Sequence, residues 1–422
     1  MAVAPQVRTV RALESQMRSL LSVIATDAGL AVAIAAALRI CFALVGLAAI
    51  HSGSRAGAVH GDWEALVLPG RDVWSELLST WQRWDALWYQ HIATDGYSSN
   101  DGSTAFLPLY PFLAHLVSTA LGGHVVVAEL LISSAAFVIA MWLLARLTRL
   151  DIGDPVASPR VGRIPALTAP VLAVLLTALF PVGFFLLAPY TEALYLALSV
   201  GAFYLARTGR PWSAGVIGSA AALARPPGVL IALPLAYEYL RSRDSLRWIA
   251  RRGGRAPGFA LVASALPIVA FAALLLLEHA FVGASIEAQS LWGAKAVLPW
   301  DGLAASWKDI LVGGAHGNAP EIEALNLVTL LGFVALAILC IKRLPAAYAI
   351  YAGASMMVLA TREAGFSPLM SVSRLALVVF PCFVVLALLL VRRPALAWAW
   401  LAISALLELI LFQYWVRWGF VA

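Results

Sequence analysis

Asp85 is the residue whose setting first suggests chemistry. It lies inside Trp81 to Tyr97, a stretch that holds three Trp, two Tyr, one His, one Arg and two Asp in a chain otherwise rich in Ala, Leu and Val. On a helix, Trp81, Gln82, Trp88 and Tyr89 are its neighbours at minus four, minus three, plus three and plus four. A carboxylate in an aromatic surround is partly desolvated, and desolvation makes a carboxylate a better proton acceptor. Aromatic faces also stack on the apolar face of a sugar. The plainer reading is a helix cap or an interfacial anchor whose carboxylate bonds locally, and the spacing alone does not separate the two.

Other residues share that setting. Tyr89 and His91 offer hydrogen bonds to a sugar hydroxyl or a phosphate. Asp95 precedes Gly96 and reads as a turn residue, while Asp62 and Asp72 sit nearby with no spacing that demands a site. Glu192 follows Pro189, Tyr190 and Thr191 at an expected helix start, where an acid is favourable on electrostatic grounds alone. Arg225 and Arg374 lie in or beside apolar stretches, where a mid-helix Arg costs about 2.5–3.5 kcal/mol on insertion scales. A bidentate phosphate would offset that cost; so would snorkelling or an internal ion pair. Arg225, at a helix break, is the better phosphate candidate. Arg39, in the first span, has no motif around it and reads as paired or snorkelling. His and Cys residues fit no metal-ligand spacing, and no cofactor is called for.

The elements that must position these groups are membrane helices. The 422 residues are 62% hydrophobic and 12% charged, with a mean hydropathy of +0.85. Several apolar runs reach the length of about 20 residues that crosses a bilayer as helix. The chain is expected to be a single all-α polytopic membrane domain over residues 1–422. The net charge of +6 is nearly all Arg, since Lys occurs only at Lys295, Lys308 and Lys342. These charges gather in short loops, which reads as topology control and not nucleic-acid binding. Arg8, Arg11 and Arg18 place the N-terminus in the cytoplasm, with no cleavable signal expected.

Spans are expected at about 28–50, 124–147, 165–188, 190–206, 258–280, 324–341, 345–360, 368–391 and 395–415. Two short helices should meet at an outer apex within 212–240. The count is about eleven, two of them short. A first extracytoplasmic loop, 51–123, holds the Asp85 stretch and a juxtamembrane or re-entrant helix at 106–121, the alternative being that 106–121 crosses the membrane against the charge rule. A second covers 281–323. Arg146, Arg149, Arg160, Arg163, Arg207, Arg210, the Arg residues from Arg241 to Arg255, Lys342, Arg343, Arg392 and Arg393 mark the cytoplasmic side. Asp85, Glu192, Arg225 and Arg374 then all fall outside.

Several stretches together resemble the PIG-V family of integral-membrane mannosyltransferases and its bacterial relatives. The family pattern, Arg-Trp-Asp-x-x-Trp/Tyr-Tyr-x-x-Ile-Ala-x-x-Gly-Tyr, is matched by Arg83, Trp84, Asp85, Trp88, Tyr89, Ile92, Ala93, Gly96 and Tyr97. Its Phe-x-Pro-Leu-Tyr-Pro is matched from Phe106 through Tyr110 to Pro111. Phe180, Pro181, Phe184 and Phe185 precede the matched Tyr190, Thr191 and Glu192. Arg225 to Gly228 match Arg-Pro-x-Gly, and Ser371 to Arg374 match a late Ser-x-x-Arg before Phe380 and Pro381. Leu375 stands where the family usually has Tyr, and Pro227 fills a variable position.

The resemblance implies a GT-C fold, a catalytic acid in the first outer loop and a polyprenyl-phosphate mannose donor used on the extracytoplasmic face of a bacterial plasma membrane. Carried onto the matching positions, it makes Asp85 the catalytic base. It puts Arg83, Trp84, Trp88, Tyr89 and Tyr110 with the substrates, along with Tyr190, Glu192, Arg225, Ser371 and Arg374, while His91, at a variable position of the pattern, joins them by residue type. The expected activity is inverting transfer of a hexose to a glycolipid or cell-envelope glycan hydroxyl, among membrane lipids. A multi-span transporter or flippase stands as the alternative, because intramembrane Arg and broken helices occur there too. A non-catalytic partner in an envelope complex is the third reading.

Overall fold

The structure, a computed structural model, describes residues 26–53, 55–56, 65–98, 101–153, 167–241, 255–277, 295–313, 319–363 and 367–421. The expectations for Arg8, Arg11, Arg18, Asp62, Arg160 and Arg163 lie outside these residues, as do those for Arg243 through Arg252.

Helix dominates, as an apolar bilayer interior requires of a chain that must satisfy its own backbone. Among the described residues four helices are long and apolar enough to cross a membrane: α1 (Asp27–His51), α5 (Val125–Ile152), α12 (Pro320–Arg343) and α16 (Pro394–Val416). Between α1 and α5, the first loop folds into α2 (Val73–Ser79), α3 (Asp85–Asp95) and α4 (Leu109–Ala120). At about 1.5 Å per residue the twelve residues of α4 fall well short of a bilayer. After α5 come α6 (Ala169–Ala178), α7 (Glu192–Arg207), α8 (Pro211–Ala224), α9 (Ala232–Arg241) and α10 (Arg255–Leu277). The two-residue strands β1 (Lys295–Ala296) and β2 (Arg362–Glu363) pair antiparallel, flanking α11 (Pro299–Val312), α12 and α13 (Ala346–Ala360). The short α14 (Val372–Ala376) and α15 (Phe380–Leu390) lead into α16.

The helices among the described residues do not confirm the count of about eleven spans. The run 165–188 yields only the ten residues of α6, after which Pro181 lies before a 3-10 turn at Gly183–Leu186. Gly183 is required there, because a Cβ would come within 2.5 Å of the Ala178 carbonyl oxygen. The run 368–391 is likewise split into α14 and α15. Non-helical backbone at membrane depth is tolerated where protein covers it, and Gly183 through Leu186 are fully buried.

Polar contacts tie one end of the bundle. Arg149 at the end of α5 pairs with Asp27 at the start of α1. Arg207, ending α7, holds Asp151 at 2.7 Å and Glu238 of α9 at 3.1 Å. Tyr348 of α13 donates to Asp151. Lys342 and Arg343 close α12 immediately before α13 begins. Helix direction therefore puts the start of α7, the end of α8 and the end of α13 at the opposite end, where a cavity opens.

Candidate active site

The cavity, of about 360 Å³, is lined by Asp85, Glu192, Arg225, Arg362, Ser371 and Arg374 on its polar side. Five segments supply them, each held by an identifiable local device.

Asp85 opens α3. Trp84 before it adopts φ +52, a left-handed conformation rare for so large a residue. Tyr190 locks this turn: its hydroxyl donates to the Arg83 carbonyl at 3.0 Å and accepts from the Asp85 amide at 3.2 Å. Arg83 is buried beneath. It donates to the carbonyls of Ser79, Gln82 and Val416 and lies 4.5 Å from the Trp418 ring. Trp84 packs edge-on against Trp418 and Phe420. Among the described residues only Trp84, Ser371 and Trp418 combine a side chain with positive φ. Trp84 and Ser371 flank the cavity chemistry and Trp418 packs on Trp84, the clustering expected where a site stores backbone strain.

Arg225 ends α8 because Pro226 follows. A residue before Pro is driven out of the helical region, and Arg225 sits at φ −152 and ψ 144. The turn closes with the Gly228 amide on the Arg225 carbonyl, and a Cβ at Gly228 would meet the Ala221 carbonyl oxygen at 2.3 Å. This contact is the physical content of the Arg-Pro-x-Gly pattern.

Arg374 is placed by α12. Glu323 accepts from the Ser367 hydroxyl and, at 3.1 Å, from the Leu369 amide. Asn326 accepts from the Ser373 amide at 2.9 Å. The guanidinium so presented donates to Asp85 Oδ2 at 2.8 Å and lies 3.3 Å from Glu192 Oε1. Arg225 approaches the same Glu192 oxygen at 2.8 Å, close but not aligned as a hydrogen bond, and Glu192 Oε2 has no partner. Glu192 is almost completely buried, so this is a buried Arg–Glu–Arg cluster joined to Asp85.

Some expected substrate residues lie elsewhere. α3 begins at Asp85, so Trp81 shares no helix with it and packs instead on Phe42 and Phe412. Arg83 and Tyr190 spend their polar atoms on backbone. Tyr110 is buried, bonded to Ser133 and the Glu129 carbonyl. His91 is clasped between Asp95 and Asp101 at 2.9 and 3.0 Å. Trp84 and Trp88 stand behind the cavity wall, Trp88 stacked on Phe106, which lines it. Asp72 caps α2 through a capping box with Ser75. Arg39 bonds Ser134 and the carbonyls of Leu130 and Leu187, so it stitches α1 to α5.

Tyr89 does line the cavity, and burial together with Asp85 and Glu192 pushes its phenol above the ordinary value, leaving it a hydrogen-bond donor. Arg362 and Phe420 are among the lining residues that went unrecognised in the sequence. Phe420 reaches the cavity from the C-terminal segment. Arg362 follows the end of α13, and burial, with Arg374 and Arg225 nearby, pulls its guanidinium below the ordinary value. Their only signal was an Arg and an aromatic just past the ends of apolar runs. Among the described residues no three His, Cys, Asp or Glu gather in a metal-holding arrangement.

Chemically, the cavity offers a carboxylate with one oxygen engaged, three guanidinium groups and an apolar wall of Val358, Leu359, Met370, Leu375 and Val378. Val358 also stands 42% exposed on the apolar outer face of α13, so the cavity reaches the surface that lipid would cover.

Residues 65–241 match the family model described as Mannosyltransferase (PIG-V), which bears out the resemblance over the segment carrying Asp85, Glu192 and Arg225. Two solved structures of the Archaeoglobus fulgidus oligosaccharyltransferase are similar. The one in complex with zinc and sulfate has 15% identity and a TM-score of 0.40 over 91% of this chain and 53% of that one. The one tethered to an acceptor peptide has 14% identity and a TM-score of 0.41 over 91% and 55%. The chain thus spans about half the length of those two. No curated protein matches it. The similarity to that family thus lies within residues 65–241, and four helices among the described residues are long and apolar enough to cross a membrane.

Proposed function

We propose that the chain transfers one hexose, mannose by family, from a polyprenyl phosphate to an acceptor hydroxyl on the extracytoplasmic face of a bacterial plasma membrane, in a GT-C-type architecture. The observation that carries this reading is the convergence of Asp85, Glu192, Arg225 and Arg374 on one cavity whose apolar wall meets the lipid-facing surface. A lipid-linked donor needs both halves: an apolar path for its chain and positive charge for its phosphate. The acceptor is a glycolipid or envelope glycan reaching the cavity from the aqueous side.

Asp85 takes the acceptor's hydroxyl proton. With Oδ2 held by Arg374, Oδ1 is the oxygen left to do so. The acceptor oxygen forms its bond to the anomeric carbon as the bond from that carbon to the phosphate oxygen breaks. The polyprenyl phosphate departs with the electron pair, and guanidinium charge stabilises it as its negative charge grows. One displacement with one base inverts the anomeric carbon, by analogy with single-displacement glycosidases. Glu192 holds Arg225 and Arg374 in place, and Tyr89 donates to a sugar or acceptor oxygen.

The test is transfer from labelled polyprenyl-phosphate mannose by membranes containing the protein, with the product's anomeric configuration read out. Loss of a general base slows a reaction by about 10²–10⁴-fold. Asp85→Asn should lose that much while remaining folded. A near wild-type rate, or a product of retained configuration, would sink the mechanism.

A further inference from the structure

We propose that Arg362 is the residue that grips the phosphate of the lipid-linked donor. This rests on the reading above and adds a residue to it. Among the charged residues lining the cavity, three guanidinium groups face two carboxylates. Arg225 is held by Glu192, and Arg374 by Glu192 and Asp85. Among the described residues no carboxylate pairs with Arg362, so the surplus positive charge of the cavity resides there. A polyprenyl-phosphate sugar is a phosphodiester with one negative charge, which matches that surplus.

Position supports the same assignment. The phosphate joins the sugar to the lipid chain, so its receptor belongs between the base and the apolar opening. Arg362 comes shortly after Val358 and Leu359, which form that opening at the end of α13. It also feels the charges of Asp85, Arg225 and Arg374. β2 fixes its direction. Successive strand residues point to opposite sides, and Glu363 is turned outward to Lys295 at 3.1 Å. Arg362 therefore faces the cavity while the β1–β2 pair anchors its backbone.

When the sugar leaves, the phosphodiester becomes a monoester with greater negative charge. Arg362 then holds the leaving group more tightly than the donor, which is the condition for lowering a barrier. Removing it should reduce kcat as well as donor affinity. Its guanidinium has no acidic partner to orphan, so its loss should leave the fold intact.

The experiment uses the purified full chain in detergent and compares farnesyl phosphate, farnesol and inorganic phosphate as ligands. Wild type should bind farnesyl phosphate at least about tenfold more tightly than farnesol, about 1.4 kcal/mol. Arg362→Gln should abolish that preference at an unchanged or raised melting temperature, and Arg362→Lys should restore part of it. Arginine-specific labelling read by peptide mass gives a second measurement independent of any variant: farnesyl phosphate should shield Arg362. Preference or shielding that ignores Arg362 would overturn the assignment and leave the transferase reading standing. Inorganic phosphate that binds as well as the lipid ester would overturn it in favour of a free-anion site. No phosphate preference in wild type would instead bring down the lipid-phosphate donor itself.

Discussion

The two ends of the helix bundle carry the same residue types to different purposes. At the basic end, Asp151 and Glu238 converge on Arg207, and Tyr348 completes the coordination of Asp151. Acid, base and hydroxyl are all used on one another, across the ends of four helices. At the other end, Asp85, Glu192, Arg225, Arg362 and Arg374 surround a cavity. Their contacts are incomplete: Glu192 Oε2 has no partner, Arg225 and Glu192 are close without alignment, and among the described residues no acid pairs with Arg362. Backbone strain also gathers at this end, at Trp84 and Ser371. An ion-pair cluster that serves only the fold has its partners satisfied. One that serves a ligand keeps charge and hydrogen-bonding capacity in reserve, and that difference separates the two clusters better than residue identity does.

Exchanging the effects of two aspartates gives the sharpest test of that contrast. Asp85→Asn should lower transfer by about 10²–10⁴-fold with little change in melting temperature, since Arg374 keeps Glu192 beside it. Asp151→Asn should do the reverse. Weakening a buried charge-assisted hydrogen bond costs about 1–3 kcal/mol, while the rate per folded molecule should stay at wild type. If Asp151→Asn abolished transfer in protein that still melts normally, the division between the ends would collapse. Glu192→Gln comes next and should damage both properties. Removing one member of a buried pair costs about 3–5 kcal/mol, here because Arg225 loses its carboxylate. Adding Arg225→Gln should recover stability, measured by thermal unfolding in detergent, and should not recover transfer. A non-additive gain of that kind is what a direct pair predicts.

How much of this was legible in the sequence depends on the physical signal available. The long apolar helices were, since twenty-odd apolar residues leave few alternatives. The break at Arg225 was also legible, because Pro226 forces it. The breaks after Ala178 and around Leu377 were not, since uniformly apolar runs look the same whether a helix continues or turns inside protein. Asp85 could be picked out by its aromatic neighbours, of which Trp88 and Tyr89 share its helix and Trp81 does not. Its closest charged partner is Arg374, 289 positions later, a relation no local pattern contains. Arg83, Tyr110, Tyr190 and His91 stood out by type, yet their polar atoms are spent on backbone or neighbouring side chains. Glu323 and Asn326, which fix the Arg374 segment, stand at the start of a span where polar residues attract no notice.

Tyr190 offers the smallest and most discriminating effect. Tyr190 is not among the residues that line the cavity; its hydroxyl holds the Arg83 carbonyl and the Asp85 amide at the strained Trp84 turn. Tyr190→Phe keeps the ring against Phe185 and Trp415 and removes only that clamp. The hydrogen bonds contribute about 0.5–1.5 kcal/mol each, so the melting temperature should fall by a few degrees at most. The consequence for chemistry follows from position. A base displaced by a fraction of an ångström loses rate without losing substrate, so kcat should fall severalfold while KM for the donor stays put. A rise in KM at constant kcat would mean that Tyr190 contacts substrate after all and that the cavity extends deeper than the Trp84 turn. The basic end provides the control: Tyr348→Phe removes the corresponding hydroxyl from Asp151, and there the melting temperature alone should move.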